Sequence, residues 1–208
     1  MVVLTFPPEE AEYLRGFYEK AKVILEYGSG GSTLMAVNMP GKLVFSVESD
    51  KKWARNLEQE IHSEPRQSHA IFYPVYIGAT GKWGRPQDTR SWHRFHRYPM
   101  AIWDEPFFRH PDVVLIDGRF RPACFAAVCM RIQRPVTVLF DDYVERVKYH
   151  VVEKLVAPEE IVGRVARFEL QPGLLSPNNA GILVSLFSEA TYAHRTPNYD
   201  AVFDPKRG

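Results

Sequence analysis

Five acidic residues close apolar runs in this chain, and their chemistry is the first thing the sequence offers. Glu26 follows Val23-Ile24-Leu25, Glu48 follows Leu43-Val44-Phe45-Ser46-Val47, Asp117 follows Val113-Val114-Leu115-Ile116, and Asp141-Asp142 follow Val136 to Phe140. Carboxylates at such positions can hold the hydroxyls of a ribose, ligate a hard cation such as Mg²⁺, or accept a proton. Grouped carboxylates repel and shift one another's pKa, so the set needs a cationic or polar partner. A glycine turn, Gly28-Ser29-Gly30-Gly31, follows Glu26, and Ser32-Thr33 opens an amphipathic segment. Glycine at 28 and 30 lets the backbone turn sharply and lets a ligand approach where a Cβ would collide. The free N–H groups of the following helix then face that ligand. Glu48, about 20 residues past the glycine loop, is placed to hold ribose hydroxyls. These features together read as a site for a nucleoside-containing cofactor.

The loop details narrow the cofactor. The dinucleotide fingerprint requires a third glycine for close helix–strand packing, and Thr33 stands there. No Gly-Lys-Ser/Thr follows, so the phosphate loop of nucleotide triphosphatases is absent. The pattern Glu26-x-Gly28-x-Gly30 resembles motif I of the class I S-adenosylmethionine-dependent methyltransferases. The resemblance implies that Glu26 lies near the cofactor's methionine ammonium and that the glycine loop passes under its amino-acid moiety. It implies that Glu48 holds both ribose hydroxyls and that the adenine sits beside the end of the third strand, near Gly78. The cofactor-binding residues expected on this basis are Glu26, Gly28, Ser29, Gly30, Ser32, Thr33, Glu48, Ser49, Gly78 and Asp117. The fold implied is α/β: a Rossmann-like doubly wound sheet of about seven strands, mostly parallel, with a C-terminal antiparallel hairpin. The resemblance spans about residues 20–188.

A second resemblance concerns the acids after the fourth and fifth strands. Ile116-Asp117-Gly118 and Phe140-Asp141-Asp142-Tyr143 resemble the metal-binding segments of catechol-type and macrocin-type O-methyltransferases. That resemblance implies a divalent-ion site, Mg²⁺ or another cation, on Asp117, Asp141 and Asp142. One departure stands against it: Arg119-Phe120-Arg121 follows Asp117, and two guanidinium groups can neutralise the aspartates instead. Asp117 and Asp141 are the expected catalytic residues. Without metal, Asp141 or His93 is the candidate base.

The stretch Gly78 to Tyr98 holds Lys82, Arg85, Arg90, Arg94 and Arg97 against one acid, Asp88, together with Trp83, Trp92, Phe95 and Tyr98. Basic and aromatic residues together suit an anionic or planar substrate through charge pairing and stacking. A long loop without regular structure is uncommon unless functional, so a substrate-facing lid is expected, with a packed surface loop or a dimer contact as the alternative.

Helices and strands must alternate to place these residues. Helical spacing marks Glu9 to Ala21, Ser32 to before Pro40-Gly41, Lys51 to His62 behind the capping Asp50, Pro122 to Ile132, and Tyr143 to Leu155. Strands are expected at Val23 to Tyr27, Leu43 to Val47, Ala70 to Ile77, Asp112 to Asp117 and Val136 to Phe140. Ile161 to Leu170 and Gly181 to Phe187, with no helix between, are expected to pair as the hairpin.

With 208 residues the chain suits a single domain, residues 1–208, and 45% apolar content suffices for a sizeable core. A net charge of +1 gives no whole-protein argument for nucleic acid or an anionic membrane. Cys124 and Cys129 lie in one apolar run, consistent with packing. No apolar run approaches a membrane span, and Met1 to Glu12 lacks a basic leader, so a cytoplasmic protein is expected. The leading reading is a methyltransferase acting on a small molecule, at oxygen. The rivals are a non-catalytic protein that binds the same cofactor and a nicotinamide-dependent oxidoreductase.

Overall fold

The apolar runs build a seven-stranded sheet whose four central parallel strands are covered on both faces, the condition under which parallel strands survive. In the computed structural model, which describes residues 4–190, 192 and 193, the elements alternate along the chain. They are α1 (Pro8–Lys20), β1 (Val23–Tyr27), α2 (Gly31–Val37), β2 (Leu43–Glu48), α3 (Lys51–His62) and β3 (His69–Pro74), then α4 (Arg97–Met100), β4 (Val113–Ile116), α5 (Arg121–Arg131) and β5 (Val136–Phe140). The hairpin β6 (Glu160–Val162) and β7 (Val165–Leu170) and the helix α6 (Ala180–Leu186) complete the order. The strand order is β3-β2-β1-β4-β5-β7-β6. The first five strands are parallel, and β7 pairs antiparallel with both β5 and β6. This is the α/β doubly wound arrangement expected from the sequence.

Period-two alternation divides the side chains between two apolar layers. Leu25, Tyr27, Phe45 and Val47 face the layer that includes Phe125 and Leu183, while Ile24, Val44, Leu115 and Leu139 face the layer built on Leu14, Tyr18 and Leu57. Glu26 is in phase with Ile24, and this parity decides its fate below. Asp50 caps α3 as expected, its Oδ1 accepting the N–H groups of Lys52 and Trp53 at 2.9 and 3.0 Å.

Three expectations need correction. Gly181 to Phe187 is helical, in α6, because Leu183 and Leu186 bury at helical spacing. The hairpin instead comes from within Ile161 to Leu170, where Gly163, at φ 54°, turns the chain. Tyr143 to Leu155 is not an α-helix; a turn and a 3-10 segment, Val147–Lys154, occupy it. Among the described residues no helix is long and apolar enough to cross a membrane. The expected irregular tail from Thr191 lies almost entirely outside the described residues.

Candidate active site

The chain leaves β1 toward β2 on one side and reaches β4 on the other. At such a reversal the loops beyond the strand ends diverge and leave a crevice. Here it is a cleft of about 1010 Å³. Gly28, Ser29, Gly30 and Ser32 line one part, Glu48 and Asp50 a second, Asp117, Gly118 and Arg119 a third, and Asp141 and Asp142 a fourth.

The two motif glycines serve different ends. Gly28 has φ 108°, and a Cβ there would lie 2.8 Å from the Gly118 Cα, so both conformation and packing require glycine. Gly30 is extended, at φ 179°, and a Cβ there would have nothing within 4 Å. Backbone strain therefore does not explain it. What glycine leaves at position 30 is empty cleft, the space a ligand would fill.

Glu26 is not in the cleft. It points with Ile24 into the layer beneath, fully buried. Tyr18 donates to its Oε1 at 2.7 Å and Thr33 Oγ1 to its Oε2 at 2.5 Å. Burial pushes its pKa up, and the hydrogen bonds from Thr33 and Tyr18 hold it down. Thr33 also accepts the Gly30 N–H at 3.1 Å, so Glu26 braces the glycine loop from behind. The expected contact with a ligand ammonium is replaced by this bracing for Glu26, and Thr33 too is behind the cleft wall. Ser49 donates to the Gly84 carbonyl at 2.8 Å, and Gly78 packs against Ser91; neither lines the cleft.

Glu48 does face the cleft. Its Oε1 accepts the N–H groups of Ser49 and Asp50 at 2.6 and 2.9 Å, while Oε2 accepts only the Ser29 N–H, at 3.3 Å. Oε2 thus keeps capacity for a further donor. Burial raises its pKa and these backbone N–H groups oppose the rise.

The three aspartates converge as the resemblance to metal-dependent enzymes implied, because Ile116 and Phe140 are register partners on β4 and β5. A guanidinium occupies their midst. Arg121, only 3% exposed, reaches Asp117 Oδ1 at 2.8 Å, Asp142 Oδ2 at 3.1 Å and Asp141 Oδ2 at 3.7 Å. It also donates to the carbonyls of Gly118 and Asp117 at 3.1 and 2.7 Å. Arg164 forks onto Asp141 at 2.7 and 3.3 Å, and Arg146 pairs with Asp142 at 2.7 Å. Three arginines satisfy three carboxylates, and no cluster among the described residues could hold a metal ion. The expected Mg²⁺ site on Asp117, Asp141 and Asp142 is corrected accordingly: the donors are spent on guanidinium groups. Melting curves of the wild-type protein should show no response to Mg²⁺ or Mn²⁺ beyond that to matched NaCl, whereas a resident divalent ion would stabilise it saturably.

The same network separates the two expected catalytic acids. Asp141 is 1% exposed and locked by Arg164, which leaves it no free reach. Asp117 keeps 32% of its side chain open to the cleft. Burial pushes its pKa well above the usual carboxylate range; Arg121 opposes this, and the Asp141 and Asp142 charges add to it. His93 accepts from Arg94 at the exposed side of the insertion and does not line the cleft.

The insertion contributes by its first half alone. Trp83, Gly84 and Arg85 line the cleft; Trp92, Arg94 and the buried Phe95 do not. Of the segment expected as a substrate-facing lid, only the residues around Trp83 line the cleft. Three non-glycine residues among those described have left-handed backbones: Trp83, Phe120 and Asp142, at φ 64°, 50° and 54°. Each costs conformational energy; Trp83 and Asp142 line the cleft, and Phe120 lies between the cleft-lining Arg119 and Arg121. Such strain persists where packing over-determines it, as for Phe120, whose ring is 4.9 Å from that of Phe95. Trp53, an apolar position of α3 that no motif marked, donates its indole N–H to the Ser29 carbonyl at 2.8 Å and lines the cleft. Arg119, Arg146 and Arg164 line it too.

Comparison with known proteins agrees with this architecture. No protein-family model matches the chain, nor does any curated protein. Among solved structures, a methyltransferase-like protein from Silicibacter pomeroyi DSS-3 is 45% identical, with 90% of this chain and 98% of that one covered at a TM-score of 0.85. A candidate O-methyltransferase from Klebsiella pneumoniae is 12% identical over 83% of this chain and 84% of its own, at a TM-score of 0.50, a likeness of fold alone. With 45% identity over 98% of the Silicibacter protein, and with its own seven-stranded sheet and a glycine-lined cleft at the reversal point of that sheet, the chain belongs to the class I S-adenosylmethionine-dependent methyltransferase-like family.

Proposed function

We propose that the protein transfers a methyl group from S-adenosylmethionine to an oxygen of a small molecule. The observation that carries this reading is that Gly30's open space, the spare Oε2 of Glu48 and the exposed edge of Asp117 all face one cleft. When bound, the cofactor supplies a methyl group already activated on a sulfonium. The protein's work is then alignment and proton removal. Gly28, Ser29, Gly30 and Ser32 form the floor under the cofactor's amino-acid end, and Glu48 accepts from its ribose hydroxyls. Asp117, steered by Arg121 and raised in pKa, accepts the hydroxyl proton of the acceptor.

Titration calorimetry with S-adenosylhomocysteine and NAD tests the cofactor assignment, and tighter binding of NAD would sink it. Two variants sharpen it. Glu48→Ala removes charge-assisted hydrogen bonds of about 1.5–3 kcal/mol each, so S-adenosylhomocysteine affinity should fall at least about tenfold. Gly30→Val should leave the melting temperature nearly unchanged, since its side chain meets no neighbour within 4 Å at Cβ, while abolishing measurable cofactor binding. Retained affinity in Gly30→Val would place the ligand elsewhere.

A further inference from the structure

Five arginines line the cleft, and two of them have no counter-charge. Arg121, Arg146 and Arg164 are paired with aspartates. Arg85 and Arg119 have no ion-pair or side-chain hydrogen-bond partner among the described residues. The Nε of Arg85 is the one buried side-chain nitrogen or oxygen among those residues that lacks a hydrogen bond. Such a group costs free energy that native structures normally avoid. The two guanidinium groups also oppose each other: burial, then the Arg121 and Arg85 cations, push the Arg119 pKa down.

Both are held in place by the strained turns. Arg85 follows Trp83 and Gly84, and Gly84 sits so close to β2 that a Cβ there would be 2.4 Å from Ser49 Oγ and 3.1 Å from Glu48 Oε1. Arg119 precedes the left-handed Phe120, and its backbone N–H donates to the Tyr98 hydroxyl at 3.4 Å. Two loops far apart in sequence are thus fixed so that each delivers an unpaired cation to the same cleft. The arrangement is costly without a ligand and favourable with an anion between the two forks.

We propose that Arg85 and Arg119 form an oxyanion-binding pair that grips a carboxylate or phosphate of the methyl acceptor, so that the substrate is an anionic small molecule. This rests on the methyltransferase reading above. Within that reading Gly84, the neighbour of Arg85 in sequence, adjoins Glu48 at the ribose end of the cofactor rather than its carboxylate end. The acceptor is therefore the source of the anion.

The test uses Arg85→Gln and Arg119→Gln with inorganic phosphate as the probe, in the presence and absence of S-adenosylhomocysteine. Phosphate should raise the melting temperature of the wild type saturably, above a chloride control of equal ionic strength. Each variant should bind phosphate at least about tenfold more weakly, the loss of a charge-assisted fork. Without ligand, both variants should melt at or above the wild-type temperature, since an unpaired, half-buried cation beside other cations is removed; a merely structural arginine would lower it. Their affinity for S-adenosylhomocysteine should stay within about twofold. A loss of ten times or more there would assign the pair to the cofactor's own carboxylate and overturn the acceptor assignment. Equal phosphate responses in all three proteins would overturn the site itself. If S-adenosylhomocysteine fails to bind while phosphate behaves as expected, the anion site stands and the cofactor assignment falls.

Discussion

Asp117→Asn should lower methyl transfer by about 10²–10⁴-fold, the usual worth of a positioned base, once an acceptor is found by screening for methylated products. Asn keeps the shape and can still accept from Arg121, so cofactor affinity should change far less. The wild-type rate should fall as pH drops through the Asp117 pKa. That acid limb should lie above the range of an ordinary carboxylate, because burial disfavours the charge and Asp141 and Asp142 reinforce it. Stability gives an independent readout with the opposite slope. A carboxyl whose folded pKa exceeds its unfolded value stabilises the fold fully below the unfolded value and loses that contribution as pH rises through the folded one. The wild type should therefore lose stability toward alkaline pH by an amount that Asp117→Asn does not. A variant that keeps activity within about tenfold would mean that the proton leaves by another route.

Arg121→Met should be the most destabilising single change in the cleft. It leaves three carboxylates without their shared cation, two of them largely buried at 1% and 16% exposure. Removing one partner of a buried ionic cluster costs about 3–5 kcal/mol. In a chain of this size that is roughly 6–20 °C in melting temperature. Arg121→Lys keeps the charge but cannot bridge the β4 and β5 loops with a planar fork, so an intermediate loss is expected. The variant also connects the two readings of the aspartates. With the guanidinium gone, Mg²⁺ should stabilise Arg121→Met though it leaves the wild type unmoved. If the wild type responds and Arg121→Met does not, Arg121 is not what satisfies the acids. A melting temperature unchanged in Arg121→Met would show that Arg146 and Arg164 suffice.

The local chemistry of the site was legible where it depended on neighbours in sequence. Apolar runs bounded by acids marked the parallel strands, since a strand buried on both faces is apolar throughout and ends where solvent begins. The spacing of Gly28, Gly30 and Glu48 placed a loop and a carboxylate at one sheet edge, and the sheet order then brought both to the cleft. The hairpin was misplaced because Ile182, Leu183 and Val184 read equally well as strand or helix over so short a run. Gly163 was the signal that could have split the preceding run.

What sequence order alone could not decide was parity and partnership. A buried parallel strand shows no polar alternation, so nothing local said whether Glu26 faced the cleft or Tyr18 on the layer beneath. That choice belongs to the packing of α1 and α2 on one side of the sheet. The aspartates likewise carried two readings, a metal or a guanidinium, which differ only in what arrives between β4 and β5. Arg121 lies 4 residues from Asp117 but 20 from Asp141, and Arg164 approaches from the β6–β7 turn, 23 residues beyond it. Only the registered pairing of β4 with β5, and of β5 with β7, closes those distances, because the charges are brought together by backbone hydrogen bonds made elsewhere. The same holds for Arg85 and Arg119: the sequence offered Arg85 as one of five cations in the insertion and Arg119 as a partner for the aspartates, and only the fold delivers both to one cleft with no counter-charge among the described residues.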